Sequence, residues 1–273
     1  MALAPTTVSL RNGLTLSYVE QGDRHAPVVV LLPGLTDSWR SFERVLGCIP
    51  LSFRAIAVSQ RGHGDSDKPE SGYRIRDFAS DLADFFAALN LARAVVVGHS
   101  SHGLVAQRFA IDNPTRTTGM VLEGSFATLR GNENLEQFVA SMISNLRDPI
   151  DPDFVRAFQT GTFIKPVPQS FIDAMVADAL KVPAHVWRSA FESLLQEDHT
   201  SELQAIEAPT LIVWGDQDGL IHRNQQDELA SGIRGAELVV YKGVGHSPHW
   251  EEPERFAADL VAFLERVGQA SRF

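Results

Sequence analysis

The chain has 273 residues, with 24 Lys and Arg against 34 Asp and Glu, for a formal net charge of −10. Polyanion binding is built largely from clustered cations that displace counterions, and no basic block occurs here, so nucleic acid is excluded as a partner. No apolar run approaches the roughly 20 residues a membrane helix needs, and the single cysteine, Cys48, allows neither an internal disulfide nor a CxxC metal or redox motif. The opening stretch MALAPTTVSLRNG lacks a basic segment followed by a long apolar one, so no secretory signal is expected. A cytoplasmic protein away from membranes is the expectation. One large domain, or one domain with an insertion, is expected at this length rather than two equal halves.

The first stretch, Val8 to Leu10 and Leu14 to Glu20 around Asn12-Gly13, predicts a β-hairpin, because Asn-Gly supplies the positive φ angles of a tight turn. Short continuous apolar runs follow at Val28 to Leu32, Ala55 to Val58, Ala94 to Val97, Met120 to Leu122 and Leu211 to Trp214. Such runs suit strands buried on both faces. Between them, Ile75, Phe78, Ala79, Leu82, Phe85, Phe86 and Leu89 recur at helical spacing, and Leu104 to Ile111 and Phe256 to Val267 have similar character. Leu238 to Tyr241 gives a last strand. Strands alternating with helices predict a mostly parallel, doubly wound α/β sheet.

From about Phe126 to Leu203 the alternation stops, and only helix-like spacing is found. The candidate helices there include Leu135 to Leu146, Phe171 to Leu180 and Val186 to Leu195, punctuated by Pro149, Pro152, Pro166, Pro168 and Pro183. The organisation expected is therefore a core of residues 1–125 and 204–273 with a helical lid, 126–203, inserted after the sixth strand.

The segment Val95-Val96-Val97-Gly98-His99-Ser100-Ser101-His102-Gly103 runs from a buried strand through a sharp turn into a helix. That is the context of a nucleophile elbow, which projects a serine Oγ off the sheet edge beside the free N–H groups of a helix N-terminus. Further along stand Pro33-Gly34-Leu35, Ser59-Gln60-Arg61-Gly62-His63-Gly64-Asp65-Ser66, Gly215-Asp216-Gln217-Asp218 and Gly245-His246-Ser247-Pro248-His249. With these motifs the chain resembles the α/β-hydrolase fold superfamily, in its serine-nucleophile esterase and lactonase branch, over nearly its whole length outside the insertion.

The resemblance implies Ser100 as nucleophile, His246 as general base and Asp218 as the acid that orients it, with the backbone N–H groups of Leu35 and Ser101 as the oxyanion hole. Asp216 is read as a turn residue, His249 as a supporting or surface residue, and His63 as locally packed. Two departures stand out: His102 replaces the second glycine of GxSxG, and Pro33 replaces the usual histidine of the oxyanion loop. His102 is expected to be buried behind the elbow. Phe138, Met142, Phe158, Met175 and Trp187 are the residues expected to line the substrate pocket from the lid.

The implied activity is hydrolysis of a small to medium, partly apolar ester or lactone through an acyl-enzyme, without cofactor or metal. Neither His99 with His102 nor His246 with His249 belongs to an HExxH pattern. Epoxide hydrolases and haloalkane dehalogenases share some of these loops but use an aspartate nucleophile. Carbon–carbon bond hydrolysis of ring-cleavage products, cofactor-free oxygenation and a non-enzymatic small-ligand receptor are the alternatives. Oligomeric state is open.

Overall fold

The computed structural model describes residues 3–270. Residues 1, 2 and 271–273, assigned above to the two ends of the core, lie outside the described residues. Eight strands form one sheet: β1 (Thr6–Ser9), β2 (Thr15–Gln21), β3 (Val28–Leu32), β4 (Arg54–Val58), β5 (Ala94–His99), β6 (Thr117–Glu123), β7 (Thr210–Gly215) and β8 (Glu237–Tyr241). Their spatial order is β1-β2-β4-β3-β5-β6-β7-β8, with the β1/β2 and β2/β4 pairs antiparallel and every other pair parallel.

The continuous apolar runs feed two separate cores because successive strand side chains point to opposite faces. Val30, Leu32 and Val96 face one core, which also takes Phe78, Leu82 and Phe85 from α2 (Ile75–Ala88) and Leu104 and Phe109 from α3 (His102–Asp112). Val29, Leu31, Val95 and Val97 face the other. A short helix α1 (Glu43–Leu46) and a long C-terminal helix (Pro253–Ala270) cover that second face.

Between β6 and β7 lie four helices: α4 (Glu133–Ser141), α5 (Pro152–Thr160), α6 (Gln169–Ala179) and α7 (Ala184–Leu194). Prolines start three of them, since Pro152 is the first residue of α5 and Pro168 and Pro183 cap α6 and α7. An isolated antiparallel bridge between Thr128 and Asp198 holds the two ends of this stretch side by side. After β7 come α8 (Arg223–Gly232), a short α9 (Pro248–Glu251) and the C-terminal helix, α10.

The Ser59 to Ser66 loop is anchored by a buried ion pair. Arg61 Nε and Nη2 donate to the two oxygens of Asp81, each at 2.6 Å, and Asn12 Nδ2 adds a third hydrogen bond at 2.7 Å. Asp81 is 0% exposed and Arg61 8%. Removing one partner strands a buried charge, so Asp81→Ala is expected to cost about 3–5 kcal/mol of unfolding free energy. Urea denaturation checks this.

Candidate active site

Strand β5 stops at His99, and Ser100 then adopts φ +54°, a left-handed conformation uncommon for a residue with a Cβ. Its backbone N–H donates to the Glu123 carbonyl at 2.8 Å, which fixes the turn against the end of β6. The turn is tight enough that a Cβ on Gly98 would lie 2.4 Å from the His102 carbonyl oxygen. The helix after it also presses on the segment just beyond β6: a Cβ on Gly103 would lie 2.0 Å from Ser125 Oγ. Close approach is thus served by Gly103, one position after the site where the family has glycine.

That shift frees position 102 for a side chain. His102 is buried and points behind the elbow, with its ring against His63 and Phe78 at centroid distances of 5.4 and 5.1 Å. Its Nδ1–H donates to the Pro33 carbonyl, and burial pushes its pKa down to about 4, so the ring is neutral. The two departures from the family pattern therefore meet in one contact. The histidine missing before Gly34 is replaced by one that braces the same loop from α3.

The loop after β7 delivers Asp218 and the loop before α9 delivers His246. His246 Nε2 lies 2.9 Å from Ser100 Oγ, and His246 Nδ1 lies 2.8 Å from Asp218 Oδ2. The other oxygen of Asp218 accepts the backbone N–H groups of Leu220 and Ile221, at 2.8 and 2.9 Å. Asp216 instead accepts from Gly243 N–H at 2.7 Å and from Gln217 Nε2 at 3.2 Å, as a turn residue does, and makes no hydrogen bond to the histidine. Burial works against charge on His246, but the Asp218 carboxylate and its hydrogen bond outweigh it and hold the imidazole above the usual histidine range. The His246 backbone is held in turn by its N–H to the Thr162 carbonyl, at 2.8 Å.

Ser100 and His246 open into a cavity of about 380 Å³ lined by, among others, Leu35, Ser101, Leu129, Phe191 and Leu194. Among the described residues, neither the Leu35 nor the Ser101 backbone N–H is spent on an internal acceptor. Of the residues expected from the lid, Phe138 and Phe158 line this cavity. The other three do not. Helix α4 ends at Ser141, which leaves Met142 off the helical stripe and 46% exposed. Met175 is packed with Phe171 and Trp250 in a separate cluster, and Trp187 sits behind Phe158, at 4.9 Å between ring centroids.

Several site residues carry no local sequence signal. Thr36, at φ +74°, and Asp37 follow Leu35 in the loop after β3, and Gln159 of α5 donates to both, at 3.2 Å to Thr36 Oγ1 and 3.1 Å to Asp37 Oδ1. Burial pushes Asp37 up to about 7. His99 Nε2–H donates to the His246 carbonyl at 3.1 Å, and a Cβ on Gly34 would meet the ring at 2.6 Å. His249 is fully buried, not at the surface, and pairs with Glu123 at 2.8 Å. Gln159 belongs to a helix the apolar spacing did not single out. The Glu123 and His249 pair spans 126 positions of chain.

No group of three or more His, Cys, Asp or Glu side chains able to hold a metal ion occurs among the described residues. None of the described helices is long and apolar enough to cross a membrane. The chain is 26% identical over 279 residues to a non-heme chloroperoxidase of Streptomyces lividans, covering 95% of this chain and 99% of that protein. It is 27% identical over 266 residues to a 2-hydroxy-6-oxononadienedioate/2-hydroxy-6-oxononatrienedioate hydrolase of Paraburkholderia xenovorans, covering 91% and 90%. Among solved structures, an esterase from Rhodococcus sp. ECU1013 superposes with a TM-score of 0.84 at 25% identity, covering 96% of this chain and 99% of that one. Residues 27–253 match the family described as alpha/beta hydrolase fold, a span that holds the elbow, the acid loop and the histidine loop together, and the chain belongs to that family of enzymes.

Proposed function

We propose that the protein is a serine hydrolase that cleaves a small to medium, partly apolar ester or lactone through an acyl-enzyme on Ser100. The observation that carries this reading is the unbroken line Ser100 Oγ, His246, Asp218, at 2.9 and 2.8 Å, opening into a mainly apolar cavity. His246 takes the proton of Ser100 as Oγ attacks the carbonyl carbon, and Asp218 stabilises the imidazolium. The N–H groups of Leu35 and Ser101 receive the oxyanion, a contribution of about 3 kcal/mol for each such donor. His246 then gives the proton to the leaving alkoxide, and water, activated by the same imidazole, releases the acid. Segment 126–203 acts as the lid, with Phe138 and Phe158 facing the apolar part of the substrate.

The Paraburkholderia relative is named for dicarboxylate substrates. The cavity of this chain includes no lysine or arginine among its lining residues and contains Asp37, so an ester or lactone without carboxylates suits it better. His102, turned away behind the elbow, gives no support to the cofactor-free oxygenase.

Incubation with a p-nitrophenyl phosphonate tests the reading: release of one equivalent of nitrophenol and a phosphonyl mass on the peptide containing Ser100 are expected. Failure to label while p-nitrophenyl butyrate is also inert overturns it. The pH dependence follows from the raised His246. Protonated imidazole cannot accept the Ser100 proton, so kcat/KM falls as pH drops through the folded-state pKa, with a midpoint above the ordinary histidine value of about 6.5. A pH-rate profile with p-nitrophenyl butyrate checks this.

A further inference from the structure

Behind the proposed triad lies a second line of serine, histidine and acid. Ser41 Oγ is 3.0 Å from Asp37 Oδ2 and 2.8 Å from His249 Nε2, and His249 Nδ1 is 2.8 Å from Glu123 Oε1. Ser41, His249 and Glu123 are each 0% exposed, while Asp37, at 5%, forms part of the cavity wall. Trp250 Nε1–H, a donor only, adds a hydrogen bond to Ser41 Oγ at 2.9 Å. Phe42 stacks on the His249 ring at 4.5 Å and closes it off from solvent.

The protons can be counted. Three contacts in a row, Asp37 to Ser41, Ser41 to His249 and His249 to Glu123, need three hydrogens. The Ser41 hydroxyl supplies one and a neutral imidazole supplies one. A third must sit on Asp37, on His249 as imidazolium, or on Glu123. An imidazolium is disfavoured, because His249 is fully buried and lies beside His99 and His246, and its pKa is held well below the usual range. Donors do not separate the two acids, since Glu123 Oε1 accepts the His249 backbone N–H at 2.8 Å while Oε2 is buried without a partner among the described residues, and Asp37 Oδ1 accepts from Gln159 at 3.1 Å. Their charged neighbours do, because the Asp178 carboxylate disfavours a negative charge on Asp37 whereas His99 and His246 favour one on Glu123. Asp37 remains.

We propose that Asp37, Ser41, His249 and Glu123 form a proton relay, distinct from Ser100, His246 and Asp218, whose one mobile proton rests on Asp37 and makes it a second acid–base group in the cavity. Transfer runs from Asp37 Oδ2 to Ser41 Oγ, from Ser41 to His249 Nε2, and from His249 Nδ1 to Glu123 Oε1. Ser41 and His249 each take up one proton and give one up, the imidazole passing from its Nδ1–H to its Nε2–H tautomer, so Asp37 loses a proton, Glu123 gains one and the net charge is unchanged. A substrate hydroxyl or ammonium laid against Asp37 draws the proton to Glu123 and leaves an anion at the wall.

The two ends feel different surroundings. Asp37 faces Gln159, Ser41, His246 and, at longer range, Asp178; Glu123 faces His99, His246 and His249. Burial lifts both acids to about 7. The Glu123 charge supports the His246 imidazolium more strongly than that of Asp37 does. The relay therefore couples the chemistry of the bound group to the basicity of His246, and this coupling rests on the hydrolase reading above.

Two measurements decide it. In 15N spectra of histidine-labelled wild-type protein near pH 7, His249 is expected as the neutral Nδ1–H tautomer; an imidazolium or the Nε2–H tautomer overturns the assignment. This readout needs no turnover, so it stands or falls separately from the hydrolase reading. In pH-rate profiles, Glu123→Gln is expected to lower the midpoint of the acid limb by roughly one pH unit. Asp37→Asn, which resembles the protonated acid, leaves that midpoint in place whatever it does to kcat. The reverse pattern, or equal shifts in both variants, overturns the proposal. If Glu123→Gln does not fold, the wild-type spectrum decides alone.

Discussion

Ser100→Ala is expected to lower kcat for p-nitrophenyl butyrate by about 10⁶-fold, the scale seen when the nucleophile of such a triad is removed. His246→Ala should cost about as much, and the double variant no more than either alone, because the two residues act as one unit. The residual rate, roughly 10³–10⁴ above the uncatalysed reaction, reports the oxyanion donors and binding alone. Additive losses in the double variant would mean that Ser100 and His246 act in separate steps. Ser100→Ala removes only one oxygen, so matched thermal unfolding of variant and wild type separates chemistry from folding.

Asp218→Asn should lower kcat by about 10⁴-fold, and the reason is specific to this loop. The backbone N–H groups of Leu220 and Ile221 both point at Asp218 Oδ1. In the variant they require the amide oxygen at that position, which leaves the NH₂ group facing His246 Nδ1. A donor there forces the imidazole to carry its proton on Nε2, where it can no longer accept from Ser100. Asp216→Asn, whose carboxylate accepts from Gly243 N–H and Gln217 Nε2 and makes no hydrogen bond to His246, should leave kcat near wild type. Steady-state kinetics on the pair distinguishes the two aspartates; equal losses would remove Asp218 from the proposed role.

The parts legible in sequence are those that a short stretch of chain determines by itself. Strands β3 to β7 announce themselves as continuous apolar runs, because both faces of the sheet are covered by helices. The elbow is legible because a Val-rich strand, a glycine and a serine stand in immediate succession. Helix α8 is not, since Leu229 is its one buried apolar residue and leaves no stripe to detect. For the same reason, helical spacing placed five large residues on the lid but not on a face. Phe138 and Phe158 turn to the cavity, Met175 and Trp187 turn to packing, and which way each helix rolls depends on partners far along the chain.

The buried acids were beyond reach for a different reason. Asp37 looks like a turn residue and Glu123 like the polar end of a strand. Their partners, Gln159 and His249, are 122 and 126 positions away. Only the folded chain shows that the side chains meet.

Gln159 joins the loop that carries Leu35 to helix α5, which also brings Phe158 to the cavity wall. A bulky substrate that displaces α5 pulls on Thr36 and Asp37, directly beside the proposed Leu35 donor. On the proposed acyl-enzyme reading, size discrimination is then exercised on the transition state: oversized acyl groups are expected to bind through apolar contact and to be turned over slowly.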